Sequence, residues 1–101
     1  MVRRRKGLGS SAAVHTAEAA KASREIENAA ATAVNKARNG RCTAATMAYA
    51  EMQQAIGRFD AHTRSGGKAW KPATAIRDAA AEYNEHCVRE STNVSGARRR
   101  R

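Results

Sequence analysis

The stretch TAATMAYAEMQQAIGRFDAH, residues 43–62, decides the fold, because its apolar side chains recur at helical spacing. Steps of three and four residues alternate along one series, formed by Ala45, Ala48, Met52, Ala55, Phe59 and His62. Residues spaced in this way share one face of a helix, and Tyr49 and Ile56 widen the stripe into a band. The stretch therefore predicts an amphipathic helix that buries one face.

Similar stripes occur on both sides of this segment. The upstream stripe contains Ala19, Ala22, Ile26, Ala30, Ala33 and Ala37, joined by Val34. The downstream stripe contains Ala73, Ile76, Ala80, Tyr83 and Cys87. Most of these side chains are small, so helix axes can approach closely, while the larger side chains of the central helix fill the space between its neighbours.

Turn-forming residues separate the three helices. Ser10 or Ser11 can cap the first helix, and Thr43 can cap the second. Asn39-Gly40 ends the first helix with a left-handed residue, and the sequence RSGGK interrupts the chain after the second. Pro72 suits the first position of the third helix, where its missing N–H costs no hydrogen bond. The predicted helices span about 12–38, 43–63 and 72–90.

The predicted fold class is all-α. Because the connection NGRC is short, the first two helices should form an antiparallel, alanine-rich hairpin. The third helix either packs on this hairpin or stays loosely attached to it. The predicted organisation is a basic N-terminal tail at 1–9, a helical body at 10–90, and a linker with a basic C-terminal tail at 91–101.

The charge of the chain is concentrated near its two ends. Lys and Arg number 19 against 9 acidic residues, which gives a net charge of +10. Eight of the 19 form two clusters, namely Arg3, Arg4, Arg5 and Lys6, and Arg98, Arg99, Arg100 and Arg101. The other 11 basic residues and all 9 acidic residues lie between the clusters, so residues 10–97 carry only 11 − 9 = +2. Flexible arginine-rich tails of this kind point to a polyanionic partner.

Composition argues against several other classes of protein. No apolar run approaches the 18 residues of a membrane span, and no apolar stretch follows the N-terminal arginines, so neither membrane insertion nor secretion is predicted. The segment KGLGSS lacks the Lys-Ser/Thr ending of a phosphate loop. No catalytic residue and no cofactor are predicted, so the chain is expected not to be an enzyme.

The cysteines and histidines are also expected to be structural. Without a signal peptide, Cys42 and Cys87 are typical of reduced thiols, and two packed thiols are favoured over a disulfide even if they lie close together. In a hairpin that turns near residue 41, His62 should lie opposite residues 19–20, about one turn beyond His15, so that the two histidines could pair only by chance at the open end. No CxxC or HxxxH spacing supports zinc, so no metal site is predicted.

Nucleic acid is the polyanion that the tails fit best, although a solubilising or targeting tail, or binding to an acidic protein surface, would also explain them. Phosphate contacts carry no base information, so the binding should be independent of sequence. A base contact is expected, if anywhere, at Trp70 between Lys68 and Lys71, since aromatic stacking beside cations is how single strands are held. The alternative, which the shortage of large apolar residues favours, is that Trp70 covers the open end of the bundle.

The stretch RRRKGLGSSAAVH, the alanine-rich helix after it, and NGRCTAA…AIGRFDAH resemble small uncharacterised proteins of single-stranded DNA phages of the microvirus type. The resemblance covers roughly residues 3–62. It implies a small basic protein that enters the capsid with the genome, with Arg3–Lys6 and the terminal arginines neutralising phosphates. The helical body, which the usual packaging protein lacks, could dock on capsid protein.

The sequence thus predicts a non-enzymatic, virion-associated nucleic-acid-binding protein, with single-stranded DNA as the favoured partner. Capsid protein or a second copy of the chain would be the partner of the helical body, and the protein would be found in the virion or the host cytoplasm. A scaffolding protein whose helical face binds another protein, and a ribosome-associated RNA-binding protein, are the alternatives.

Overall fold

The fold consists of three α-helices and one π-helix. The computed structural model describes the backbone of residues 2–89 and the side chains of residues 12–88. Helix α1 spans Val2–Arg38, α2 spans Cys42–Arg64 and α3 spans Ala73–Tyr83, which continues as a π-helix over Asn84–Arg89. Residues 2–89 contain no strand, so the predicted all-α class is confirmed. The linker and the C-terminal basic cluster, at 91–101, lie outside the described residues.

Helix α1 begins earlier in the structure than the sequence predicts. Its first residue is Val2 rather than residue 12, so Ser10 and Ser11 lie within the helix and do not cap it. The N-terminal segment permits this extension because it contains no proline, and Gly7 and Gly9 each disfavour a helix by about 1 kcal/mol relative to alanine, which is far less than a proline would. The backbone of the N-terminal basic cluster is therefore part of α1.

Glycine residues end α1 and α2 in the same way. Gly40 has a φ of 75° and Gly66 a φ of 106°, both in the left-handed region. After α1, the Arg41 N–H donates to the Lys36 carbonyl oxygen at 2.9 Å; after α2, the Gly67 N–H donates to the His62 carbonyl oxygen at 2.9 Å. Each helix thus ends in a Schellman motif, in which a glycine without a Cβ adopts the turn at little cost.

The core lies between α1 and α2 and is lined mainly by alanine. Every residue predicted for the α1 stripe is buried apart from Val34, which is partly buried, and the α2 stripe is buried from Ala45 to Phe59. Ile26 and Met52 are the largest fully buried apolar side chains of the two helices. His15 pairs with His62 and Glu25 with Arg58, so residue numbers rise along α1 as they fall along α2.

Helix α3 packs mainly on α1 and runs in the same direction as α1. The Ser23 hydroxyl bonds to the Trp70 carbonyl at 2.8 Å just before α3, and Arg38 pairs with Glu82 at 3.0 Å near its end. The buried residue of α3 is Ala79, which the predicted stripe omits, whereas Ala73 is exposed. The rest of the predicted face does meet the body, since Ile76 packs against the core, Tyr83 stacks on Tyr49 and Cys87 is bonded to Cys42. The predicted stripe is therefore largely confirmed, with an error at Ala73 and the omission of Ala79.

Two of the predicted caps were also wrong. Arg41 occupies the cap position of α2, so Thr43 lies within the helix, and no side chain caps its first N–H groups. Pro72 precedes α3 at the cap position and is buried, one residue before the position that the sequence predicts. Neither helix start has a side-chain cap.

Candidate nucleic-acid interface

The loop between α2 and α3, residues 65–72, presents Trp70 to solvent. Trp70 is 68% exposed, which is the largest exposed fraction among the large hydrophobic residues of the described chain. The prediction that its indole covers the end of the bundle is therefore wrong. The other aromatic side chains are packed: Phe59 is buried, and Tyr49 stacks on Tyr83 with ring centroids 4.9 Å apart.

The backbone of this loop is fixed to α1 at three points. The buried Ser23 donates its hydroxyl to the Trp70 carbonyl oxygen at 2.8 Å. The Lys68 N–H donates to the Thr16 hydroxyl oxygen at 3.0 Å. Gly67 is buried, and a Cβ there would lie 2.6 Å from the His15 carbonyl carbon, so the loop approaches α1 more closely than any side chain allows. The exposed indole is thus carried by a firmly held backbone.

The two lysines that flank Trp70 have different surroundings. Lys71 forms an ion pair with Asp60 at 2.8 Å and lies over the Phe59 ring, 5.7 Å from its centroid. Lys68 is exposed and forms no ion pair with the described residues. Lys71 therefore belongs largely to the fold, while Lys68 is the lysine that can meet an incoming anion.

His15 and His62 meet beside this loop, about one turn from the position near residues 19–20 that the hairpin register predicts opposite His62. Their Nδ1 atoms lie 2.9 Å apart, so one ring donates and the other accepts a hydrogen bond. This bond requires at least one ring to be neutral. No group of three or more residues that could hold a metal ion occurs among residues 12–88. The pair is best explained as a structural contact between the helices.

Internal ion pairs use several charges of the helical body. Arg38 pairs with Glu82 and Arg58 with Glu25, each at 3.0 Å, in addition to Lys71 with Asp60. The hydrogen bond from Arg38 is the main reason why the pKa of Glu82 lies below its ordinary value. Besides Lys68, five further cations are exposed and form no ion pair within the described part of the chain: Lys21, Arg24, Arg41, Arg64 and Arg77.

A disulfide bond joins Cys42 to Cys87 at the opposite end of the body. The expectation of two reduced thiols was wrong. The short turn after α1 and the return of the chain along α3 bring the two Cα atoms to 5.5 Å, within the range that a disulfide needs. The proximity was foreseeable from the topology, but the oxidation state was not.

The two basic clusters are connected to opposite ends of the body. The cluster Arg3–Lys6 lies in the part of α1 that precedes His15, at the end that carries the Trp70 loop. The described chain ends at Arg89, two residues after Cys87, at the end that carries the turn between α1 and α2. The side chains of Arg3–Lys6 and all of Arg98–Arg101 lie outside the described residues.

Comparison of the chain with protein-family models, with curated proteins and with solved structures finds no match. Among residues 2–89, no helix is long and apolar enough to cross a membrane.

Proposed function

We propose that this protein is a non-enzymatic nucleic-acid-binding protein of a virion, in which the arginine-rich ends neutralise genome phosphates. The body, an alanine-rich helical hairpin with a third helix, holds these ends and docks on capsid protein or on a second copy. The resemblance to proteins of microvirus-type phages, which rests on short motifs, suggests the virion and single-stranded DNA.

The separation of charge carries the proposal. Residues 10–97 have a net charge of +2, while the two clusters supply the other +8. Within the body, ion pairs with Glu82, Glu25 and Asp60 use three of the cations. Arginine matches phosphate oxygens with a planar fork of donors, and binding releases the counterions of the nucleic acid. The affinity should therefore depend on the clusters more than on the body.

The test compares two variants that lose the same charge from different places. The tail variant carries R3Q, R4Q, R5Q and K6Q, and the body variant carries K21Q, R24Q, R64Q and R77Q. Each is titrated by gel shift with a single-stranded oligonucleotide at fixed salt. We expect the tail variant to lose most of the affinity and the body variant to keep most of it. Equal losses would contradict the proposal.

A scaffolding role is the second candidate, because apolar side chains are exposed on the body. Met47 on α2 is 63% exposed, and Val88 is 42% exposed beside the disulfide. In this role the helical face binds another protein and the basic ends maintain solubility. Recovery of a protein partner after nuclease treatment in high salt would favour this candidate over nucleic-acid binding.

A further inference from the structure

We propose that Trp70 is a preformed stacking platform for an unpaired nucleobase, so that the helical body selects single strands over duplexes. This inference rests on the proposed function, since it assigns a class of nucleic acid to the same protein. Its starting point is that a chain with four aromatic residues, which packs three of them, leaves its largest side chain 68% exposed.

The anchoring of the loop makes the platform ready for binding. The bonds from Ser23 to the Trp70 carbonyl and from the Lys68 N–H to Thr16 hold the backbone on both sides of residue 69. Pro72, which directly follows Trp70 and Lys71 in the sequence, is fully buried and holds the end of the loop. A base that stacks on Trp70 therefore orders only its own nucleotide and not the loop, which lowers the entropic cost of binding.

Charge near the platform suits a phosphate chain. Lys68 is exposed two residues before Trp70 and has no ion-pair partner among the described residues, while Lys71 neutralises the Asp60 carboxylate at 2.8 Å. The basic cluster on α1 lies at the same end of the body. Between Lys6 and Thr16, where Lys68 is bonded, α1 rises by about 15 Å at 1.5 Å per residue. A strand bound by the cluster can thus extend to Trp70.

Stacking on an exposed indole requires a free base face. In a duplex both faces of each base are occupied by the neighbouring pairs, whereas a single strand can present one to an aromatic side chain. Every base has such a face, so the contact adds a preference for single strands without adding a preference for sequence.

The test uses the intrinsic fluorescence of Trp70, which is the single tryptophan of the chain. The full chain is titrated with a single-stranded oligothymidylate, with a duplex of the same length, and with inorganic polyphosphate. We expect all three to bind, and only the single strand to quench the fluorescence strongly. Equal quenching by polyphosphate, or no quenching by a bound single strand, would overturn the platform and leave the proposed function in place.

The variants W70A and W70F provide the second measurement, made by anisotropy of a labelled oligonucleotide. Loss of a stacking aromatic weakens single-strand binding by about 5- to 150-fold, and this is expected for W70A. W70F should recover part of the loss, and polyphosphate binding should be unchanged in both. An unchanged single-strand affinity in W70A would overturn the platform alone. Failure of the unmodified chain to bind any of the three polyanions would overturn both proposals.

Discussion

At the scale of single residues, two glycines of the chain have opposite roles. Gly67 is buried against the backbone of α1, where a Cβ would lie 2.6 Å from the His15 carbonyl carbon and 2.9 Å from the His62 carbonyl oxygen. Gly57 lies on the exposed face of α2, and a Cβ there would have no neighbour within 4 Å. The first glycine permits a close contact, whereas the second only lowers helix propensity.

This difference predicts stability changes of opposite sign for one substitution. G67A should destabilise the protein by about 1–3 kcal/mol, since backbone atoms must move to admit the methyl group. G57A should stabilise it by about 0.5–1 kcal/mol, the usual preference of a helix for alanine over glycine. Urea unfolding followed by circular dichroism measures both. If G67A were as stable as the unmodified chain, the close approach of the loop to α1 would be wrong.

The contact between Arg38 and Glu82 predicts a pH dependence. The hydrogen bond from Arg38 lowers the pKa of Glu82 from its ordinary value of 4.5, so the folded chain binds this proton less tightly than the unfolded chain. The resulting stabilisation is present above pH 4.5 and is lost as the pH falls through the lower, folded-state value. E82Q should therefore reduce the melting temperature at neutral pH and have less effect in acid.

The control for this experiment is E51Q, which changes an exposed carboxylate that has no ion pair among the described residues. Thermal melts of the three proteins from neutral to strongly acidic pH make the comparison. An E82Q curve that stays parallel to that of the unmodified chain would show that the contacts of Glu82 with Arg38 and His86 contribute no pH-dependent stability.

At the scale of elements, the disulfide attaches the end of the described chain to the turn between α1 and α2. The α-helical hydrogen bonding of α3 ends at Tyr83, and the wider π-helix Asn84–Arg89 contains Cys87. The bond closes a loop with a sequence separation of 45 residues. It therefore links the C-terminal segment to the body by a covalent bond and not only by packing.

Removal of this bond should lower stability considerably. For a loop of this length the chain-entropy model gives a stabilisation of about 4 kcal/mol. The small alanine-lined core contributes too little stability to compensate for its loss. We expect C42S/C87S, or the unmodified chain in reductant, to unfold at lower urea concentration, with the single variants matching the double variant. Thiol titration of the purified, unfolded protein checks the starting state: two reactive thiols would contradict the disulfide.

The helices also differ in how well the sequence predicts them. The stripes of α1 and α2 could be predicted from the spacing of apolar residues because both helices are long. Each has a single apolar face, which fixes the rotation of the helix about its own axis. Helix α3 is short, and its orientation depends on the bonds of Ser23 and Arg38 to residues far away in the sequence. Apolar spacing could not reveal these bonds, so the buried position of Ala79 was missed.

At the scale of the whole molecule, one part of the candidate site could be predicted from the sequence and another could not. The basic clusters could be identified from the sequence alone, because the charge of a segment does not depend on the fold. The exposure of Trp70 was not predictable, since a chain poor in large apolar residues is expected to bury its tryptophan. The N-terminal basic cluster is attached at the end of the body that carries the Trp70 loop. The C-terminal segment follows Cys87, at the opposite end.

The salt dependence of binding to a single-stranded oligonucleotide tests the central claim most directly. If all eight clustered charges contact phosphates, a plot of log K against log salt should have a slope of roughly −5 to −6. Replacement of either cluster by glutamine should halve the slope, to roughly −3, and replacement of Lys21, Arg24, Arg64 and Arg77 should leave it nearly unchanged. A slope that survives the loss of both clusters would show that the body, and not the arginine-rich ends, neutralises the phosphates.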